Sequence, residues 1–458
     1  MEDPSFLSVC DLINLFKLKK LSPVENLTNT LNIIKKLNPK LNAFISISEK
    51  KGMIQAKQSE QHYLNNTNRK LEGIPFGVKD VIDVEGEKTI NGSKLFENSD
   101  LKKDNSFIVS KLIQEGAIYI GKLHTHELAI GAPTFTGLNT PASNPWNLKK
   151  TAGGSSSGSG SAVGGYLVPF ALGTDSGGSI RNPSSMCGIL GLKPTYNSLK
   201  MRGIQPLAKT IDTVGPMART GKDISLIFSV LNENNQKYNH NLKNLKIGII
   251  EHFYNNDFIA NQEVGASFEK AVKIFEENGS VSKIYLDNLK TYHRVNGMIM
   301  AKEGYLQFKK QLELNKDQID EFTFKRLFKG KYISDEDYHN AIKKKKELSH
   351  KIYEALKIFD ILLTPTNFDL PFDLGDLKQI NKYYMRHARS PFNISGNPAI
   401  SIPCGISKTN LPIGFQIVGR KNSEELITKI ADEFLLKIDW ENIRMKKIIK
   451  KLFSRNIH

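Results

Sequence analysis

Apolar residues at Leu27, Leu31, Ile34 and Leu37 recur at helical spacing behind Ser22-Pro23-Val24-Glu25, which reads as a capping box with proline at the first helical position. This predicts a helix that stops around Asn38-Pro39, where proline cannot continue the backbone ladder. Residues 105 to 121 read as helix, a break at Gly116 and the short strand AIYIG. Residues 262 to 285 repeat that logic: an amphipathic helix, a stop at Asn278-Gly279, then VSKIYL. Helix-to-strand alternation argues an α/β class. No repeat of fixed period appears.

One stretch interrupts this pattern. Lys149 to Gly165, KKTAGGSSSGSGSAVGG, has the composition of a flexible tether. It runs directly into the apolar YLVPFALG, followed by a second small-residue cluster, TDSGGSIRNPSS, and another apolar run, MCGILGLKP. Two Gly/Ser clusters alternating with two core segments predict packed loops rather than a linker.

Composition narrows the classes. The chain has 458 residues, 39% hydrophobic and 24% charged, which is a globular balance with ample material for a core. The net charge of +17 raises nucleic acid or an anionic surface as partners. The lysines are scattered, however, and the densest run, Lys343 to Lys346, sits in a helix-like segment without interleaved aromatics, so a solvated surface is the preferred reading. The tail MKKIIKKLFSRNIH reads as a fraying terminal helix. Cys10, Cys187 and Cys404 are odd in number and far apart, which argues against a disulfide framework or zinc ribbon and fits a reducing cytosol. The start MEDPSFLSV lacks the order of a signal peptide, and no apolar run is long enough to span a membrane. The expected localisation is cytoplasmic.

Three chemistries suit the small-residue clusters. A phosphate loop needs Lys-Ser or Lys-Thr after its glycines, and neither cluster has it. Gly154-Ser155-Ser156-Ser157-Gly158 matches the nucleophile elbow G-x-S-x-G, but the preceding NPWNLKKTAG is a poor strand. The third is a serine nucleophile activated by a neutral lysine. Lys79, in the apolar GIPFGVKDVIDV, fits such a base, since burial favours the neutral amine; a pleat-alternating surface lysine is the plainer alternative. Ser48 to Lys51 and Ser267 to Lys270 have Ser-x-x-Lys spacing without the companion motifs, and read as helix surface.

GIPFGVKD, AGGSSSGSGSA, GTDSGGSIRNPSSMCGILGLKPT and GPMART, in this order, resemble the amidase signature family. The resemblance extends to LSPVENLTNTLNIIKKLNPKLNAFI, LLTPT and SGNPAISIPCG…LPIGFQIVGR, and so covers most of the chain. It implies an α/β amidase-signature fold, a large mixed β-sheet flanked by helices on both faces. The chain would be a single amidase domain over 1–458, with a signature core at about 70–220 and a variable substrate-specificity segment at about 285–390. It implies a Ser-cisSer-Lys triad: Ser179 as nucleophile, Ser155 as the bridging serine with a cis peptide, and Lys79 as base. Backbone N–H groups of Ser176, Gly177, Gly178 and Ser179 would form the oxyanion hole, with Asp175 and Arg181 in support. Ser157 departs from the family, which more often has glycine there. No cofactor and no metal are implied. His124 and His126 have x-His-x-His spacing, but no cluster of acids or cysteines joins them, and they read as lining or packing. Cys187 takes a place the family gives to a buried, unreactive cysteine. Arg386, His387 and Arg389 are candidates to meet an anionic substrate group, with solvated surface as the alternative.

The family includes free-standing amidases and the glutaminase component of the tRNA-dependent amidotransferase. The latter usually reads Asn-Met-Asp-Glu-Phe-Ala-Met-Gly where this chain has HTHELAIG, and carries a Tyr-Asp-Gly-x-Arg stretch where this chain has MAKEGYLQF. GKYISDEDYHNAIKKKKEL is also more like the free enzymes. The expected function is therefore hydrolysis of a linear carboxamide through an acyl-enzyme, with the glutaminase component of a glutamyl-/aspartyl-tRNA amidotransferase as the alternative. An inactive binding protein on this fold is disfavoured by the intact triad. The expected partner is a small-molecule amide. A membrane is not expected, nor is nucleic acid outside a tRNA amidotransferase; a homodimer stays open.

Overall fold

The computed structural model describes residues 3–233, 244–277 and 279–453. Its frame is a ten-stranded mixed sheet. Across the sheet the strands run Ile118–Leu123, Pro75–Lys79, Phe170–Asp175, Thr213–Ala218, Leu190–Lys193, Ala399–Ile406, Pro412–Gly419, Ile361–Pro365, Leu245–Ile249 and Gly279–Lys283. The first three are mutually parallel, as are the last three, and the pairings between those two groups are antiparallel. Strands such as Pro75–Lys79 and Phe170–Asp175 are buried along their whole length, which is why they read as unbroken apolar runs rather than alternating ones. Helices pack against the sheet, among them Ser157–Gly164, Gly221–Leu231 and Glu424–Lys437. Among the described residues no helix is long and apolar enough to cross a membrane.

The lysine and both small-residue loops lie at one edge because of this order. Pro75–Lys79 pairs in parallel with Phe170–Asp175, with Val78 opposite Leu172, so both strands end at the same side. Lys79 is the last residue of one strand, and the loop from Ser176 follows the other. Ligands of open α/β sheets collect at such carboxyl ends.

Several local expectations hold and others change. The capping box at Ser22 and Glu25 is present. The helix, however, runs from Pro23 to Leu41, straight through Pro39. The bond that Pro39 cannot donate belongs to the carbonyl of Lys35, and both residues lie on the exposed side near the helix end, where water can serve that carbonyl. The helix stops three residues later at Asn42, in a left-handed conformation (φ 49°). The strand expected at VSKIYL begins earlier, as Gly279–Lys283, and Asn278 of the expected stop lies outside the described residues. NPWNLKKTAG is not strand-free: Asn147–Thr151 pairs with Ser143–Asn144. The Asn144 side chain ties this polar hairpin together, accepting from Trp146 N–H at 2.9 Å and donating to the Thr151 carbonyl at 3.0 Å. The terminal helix Trp440–Ile448 and the turns Ile449–Phe453 bury Trp440, Arg444, Ile448 and Leu452, so this part of the tail is docked rather than frayed; residues 454–458 lie outside the described residues. Lys343 to Lys346 lie in the helix Asp335–Ile358, as expected.

Candidate active site

The Gly/Ser stretch is neither tether nor open loop. Residues 151–165 are almost wholly buried, and the helix Ser157–Gly164 lies against the strand Phe170–Asp175. Glycine is required where the loop turns. Gly153 has φ +78°, and a Cβ on Gly154 would lie 2.1 Å from the His126 ring. The peptide bond between Gly154 and Ser155 is cis.

Lys79 is completely buried, and its Nζ lies 2.7 Å from Ser155 Oγ and 2.7 Å from Thr174 Oγ1. Among the described residues it forms no ion pair, and burial lowers its pKa from 10.5 to about 7 against the opposing pull of Asp175 and Asp212. Ser156 N–H donates to the Ser179 carbonyl at 3.2 Å, which fastens the Ser155 loop to the Ser179 loop. Ser179 is half-buried and faces a pocket also lined by Gly153, Gly154, Ser176 and Gly177. Lys79, Ser155 and Ser179 thus lie at increasing exposure in that order.

A family model described as Amidase matches residues 25–428. The chain belongs to the amidase family. Its chemistry is that of an amide-cleaving hydrolase. It is 30% identical to the A-type subunit of glutamyl-tRNA(Gln) amidotransferase from Nitrosococcus oceani, over 95% of this chain and 98% of that protein. Among solved structures, 6-aminohexanoate cyclic dimer hydrolase shares the fold with a TM-score of 0.87 at 22% identity, covering 97% of this chain and 99% of that one. The corresponding glutamyl-tRNA(Gln) amidotransferase subunit of Thermotoga maritima superposes with a TM-score of 0.78 at 27% identity, covering 95% of this chain and 96% of that one.

In this amidase the two expected supporting residues form the fixed base of the Ser179 loop. Asp175 accepts from Gly178 N–H at 2.7 Å, Ile180 N–H at 3.2 Å and Arg181 Nη2 at 3.0 Å. Arg181 also donates to Gln416 Oε1, Asn393 Oδ1 and the Arg389 carbonyl. Burial pushes the Asp175 carboxyl up, but Arg181 and Asn393 together hold it well below the usual carboxylate range. Asp175→Asn should destabilise the fold by about 3–5 kcal/mol, because it leaves Arg181 buried without its counter-charge. The denaturant midpoint measures this, and an unchanged midpoint would refute it.

The same bond corrects one expected oxyanion donor. Gly178 N–H is already directed to Asp175, so Ser176, Gly177 and Ser179 remain as candidates. Gly178 is nonetheless needed: its φ is +116°, and a Cβ there would lie 2.4 Å from Arg389 Cδ.

The two histidines pack rather than gather ligands. His124 Nδ1 lies 2.9 Å from Ser157 Oγ, and so meets the position where this chain departs from the family. His126 lines the pocket, its N–H donating to the Ser155 carbonyl at 3.0 Å. Burial lowers their pKa values to about 4 and about 3. Among the described residues no cluster of three or more His, Cys, Asp or Glu side chains is arranged to hold a metal. Cys187 is buried, its Sγ 3.4 Å from the Ala152 carbonyl, and burial pushes its thiol up. The solvated-surface alternative fails for His387 and Arg389, which are 4% and 6% exposed. Arg386 is partly buried and paired with Asp369 at 2.6 Å.

Two residues of the site carried no sequence assignment. Asp212 accepts from Ser176 Oγ at 2.5 Å and from Leu207 and Ala208 N–H, and burial raises its pKa to about 6. Asn296 Nδ2 donates to the Ser176 carbonyl at 3.1 Å. Both steady Ser176. Asp212 directly precedes TVGPMART, and an acid at the mouth of an apolar strand was the available signal.

Proposed function

We propose that the chain is a free-standing amidohydrolase that cleaves a linear carboxamide through Ser179, Ser155 and Lys79. Ser179 Oγ attacks the carbonyl carbon, and its proton passes through Ser155 to the neutral Lys79 amine. The N–H groups of Ser176, Gly177 and Ser179 meet the oxyanion. Collapse of the tetrahedral species breaks the C–N bond, and the proton returns through Ser155 to the departing ammonia or amine. Water then adds to the acyl-enzyme by the same relay, releasing carboxylate and restoring Ser179. The observation that carries this reading is the fully buried Lys79 amine, without an ion pair among the described residues and 2.7 Å from Ser155 Oγ.

The chain is read as one amidase domain, because strands drawn from residues 75 to 419 form one sheet. The segment 285–390 is read as the specificity element, supported by Asn296, Met300 and Arg326 at the pocket wall. Three unpaired cysteines are compatible with a reducing cytosol.

The amidotransferase component is the second reading, favoured by the 30% identity to such a protein over nearly the whole chain. Against it, one of the chain's departures from that protein's motifs falls within the site: His126, in HTHELAIG, stands against Gly154 and lines the pocket. The purified chain should therefore release ammonia from small carboxamides alone. Ammonia release from glutamine that appears only when the partner proteins and charged tRNA are supplied would decide for the amidotransferase.

A further inference from the structure

The pocket above Ser179 contains more positive charge than amide hydrolysis requires. Arg326, Arg386 and Arg389 all line it, while Asp369 is the single carboxylate among the described lining residues. Arg386 already occupies Asp369 at 2.6 Å. Arg326 stacks on Tyr384, 4.1 Å from the ring centre, and donates to the Ile130 carbonyl.

Arg389 stands apart from these two. It is 6% exposed, and its Nε and Nη1 have no hydrogen-bond partner among the described residues. The acid whose charge reaches it, Asp175, is held by Arg181. Its side chain crosses Gly178, the residue before Ser179, so closely that a Cβ there would lie 2.6 Å from Arg389 Nε. Burial, reinforced by Arg181, lowers the pKa of the guanidinium to about 9, and the group still carries its charge at neutral pH. The neighbouring His387 is held neutral by the same burial and by Arg389 itself. A buried cation without a counter-ion is costly, and a guanidinium fork matches a carboxylate in shape and charge.

We infer that the substrate is an amide bearing a carboxylate a short carbon chain from the scissile bond, and that Arg389 receives that carboxylate. This rests on the hydrolase reading and adds the substrate class to it. Its position beside Ser179 requires the acid to lie close to the reacting carbonyl, as in short ω-amido acids. Arg326 adds a second positive charge at the same wall.

The test compares malonamate, succinamate and glutaramate with the neutral diamides of equal length. At least one monoamide should exceed its diamide in kcat/KM by about 10- to 100-fold, the range that hydrogen bonds to a charged group supply. In Arg389→Gln that ratio should fall toward one, chiefly through KM. Equal rates on both series would overturn the inference. So would an Arg389→Gln enzyme that loses kcat equally on both, which would place the guanidinium at the reacting carbonyl instead. Wild-type protein provides an independent readout: malonate, succinate or glutarate should slow fluorophosphonate labelling of Ser179 where the diamides do not. Absence of protection by any of the three acids would also overturn it. Failure of Ser179 to label at all strikes the hydrolase reading instead, so the two failures are distinguishable.

Discussion

Ser179→Ala should abolish both amide hydrolysis and covalent labelling by a fluorophosphonate probe, with kcat falling by about four to six orders of magnitude. Ser179 lines the pocket, half-buried on a loop held by Asp175 and fastened to the Ser155 loop through Ser156 N–H and the Ser179 carbonyl. Ser155→Ala should slow labelling rather than abolish it, because it removes the relay but leaves the attacking oxygen in place. The loop is anchored through Asp175 and Arg181, so Ser179→Ala should melt within a few degrees of the parent. Undiminished labelling of Ser179→Ala would remove Ser179 from the nucleophile role, whatever the fold similarity.

Lys79→Ala and Lys79→Arg should both lose most activity, and the arginine variant is the more informative. Arginine restores the positive charge and the length, yet stays protonated and cannot accept a proton. The pH profile follows from the same group. Burial takes the Lys79 amine from 10.5 to about 7, with Asp175 and Asp212 opposing. The base is therefore protonated and inactive well below neutrality, and free above it. kcat/KM should rise about tenfold per pH unit below the folded-state pKa and level off above it. Raised activity at low pH, or a fully active Lys79→Arg enzyme, would rule out the lysine-base mechanism even if Ser179 labelled normally. Asp212 adds a smaller effect: its pKa is raised to about 6, so below that its protonation weakens the pull it exerts on Lys79.

The candidate site was legible in the sequence because it is local. GTDSGGSIR places Ser179, the turn before it and the Asp175–Arg181 brace within seven consecutive positions of one strand end and the turn after it. The glycines are there because backbone and side chains approach too closely for a Cβ, and that demand leaves a visible mark in composition. Lys79 was legible for a related reason: a lysine in an unbroken apolar run must be buried if that run is a central strand. Pro39 misled, since a proline rule applied to sequence alone does not know that the orphaned carbonyl faces water.

By itself, then, the sequence determined the α/β class and the Gly/Ser loops as packed elements, and through a family resemblance it pointed to Ser179, Ser155 and Lys79 as the candidates for catalysis; all of these depend on residues within a strand and its adjoining loop or on one recurrent motif. Only the tertiary structure decided which charges are paired. Arg181 reaches the Arg389 carbonyl across 208 residues of chain, and Asn296 reaches the Ser176 carbonyl across 120. Arg386 and Arg389 look alike in the sequence, three positions apart, yet one rests on Asp369 at 2.6 Å and the other, among the described residues, is buried without an ion pair over Gly178. The physical reason is that burial and ion pairing are set by what distant elements bring alongside a group, and that same surrounding shifts Lys79 to a pKa of about 7 and gives Arg389 no ion pair among the described residues.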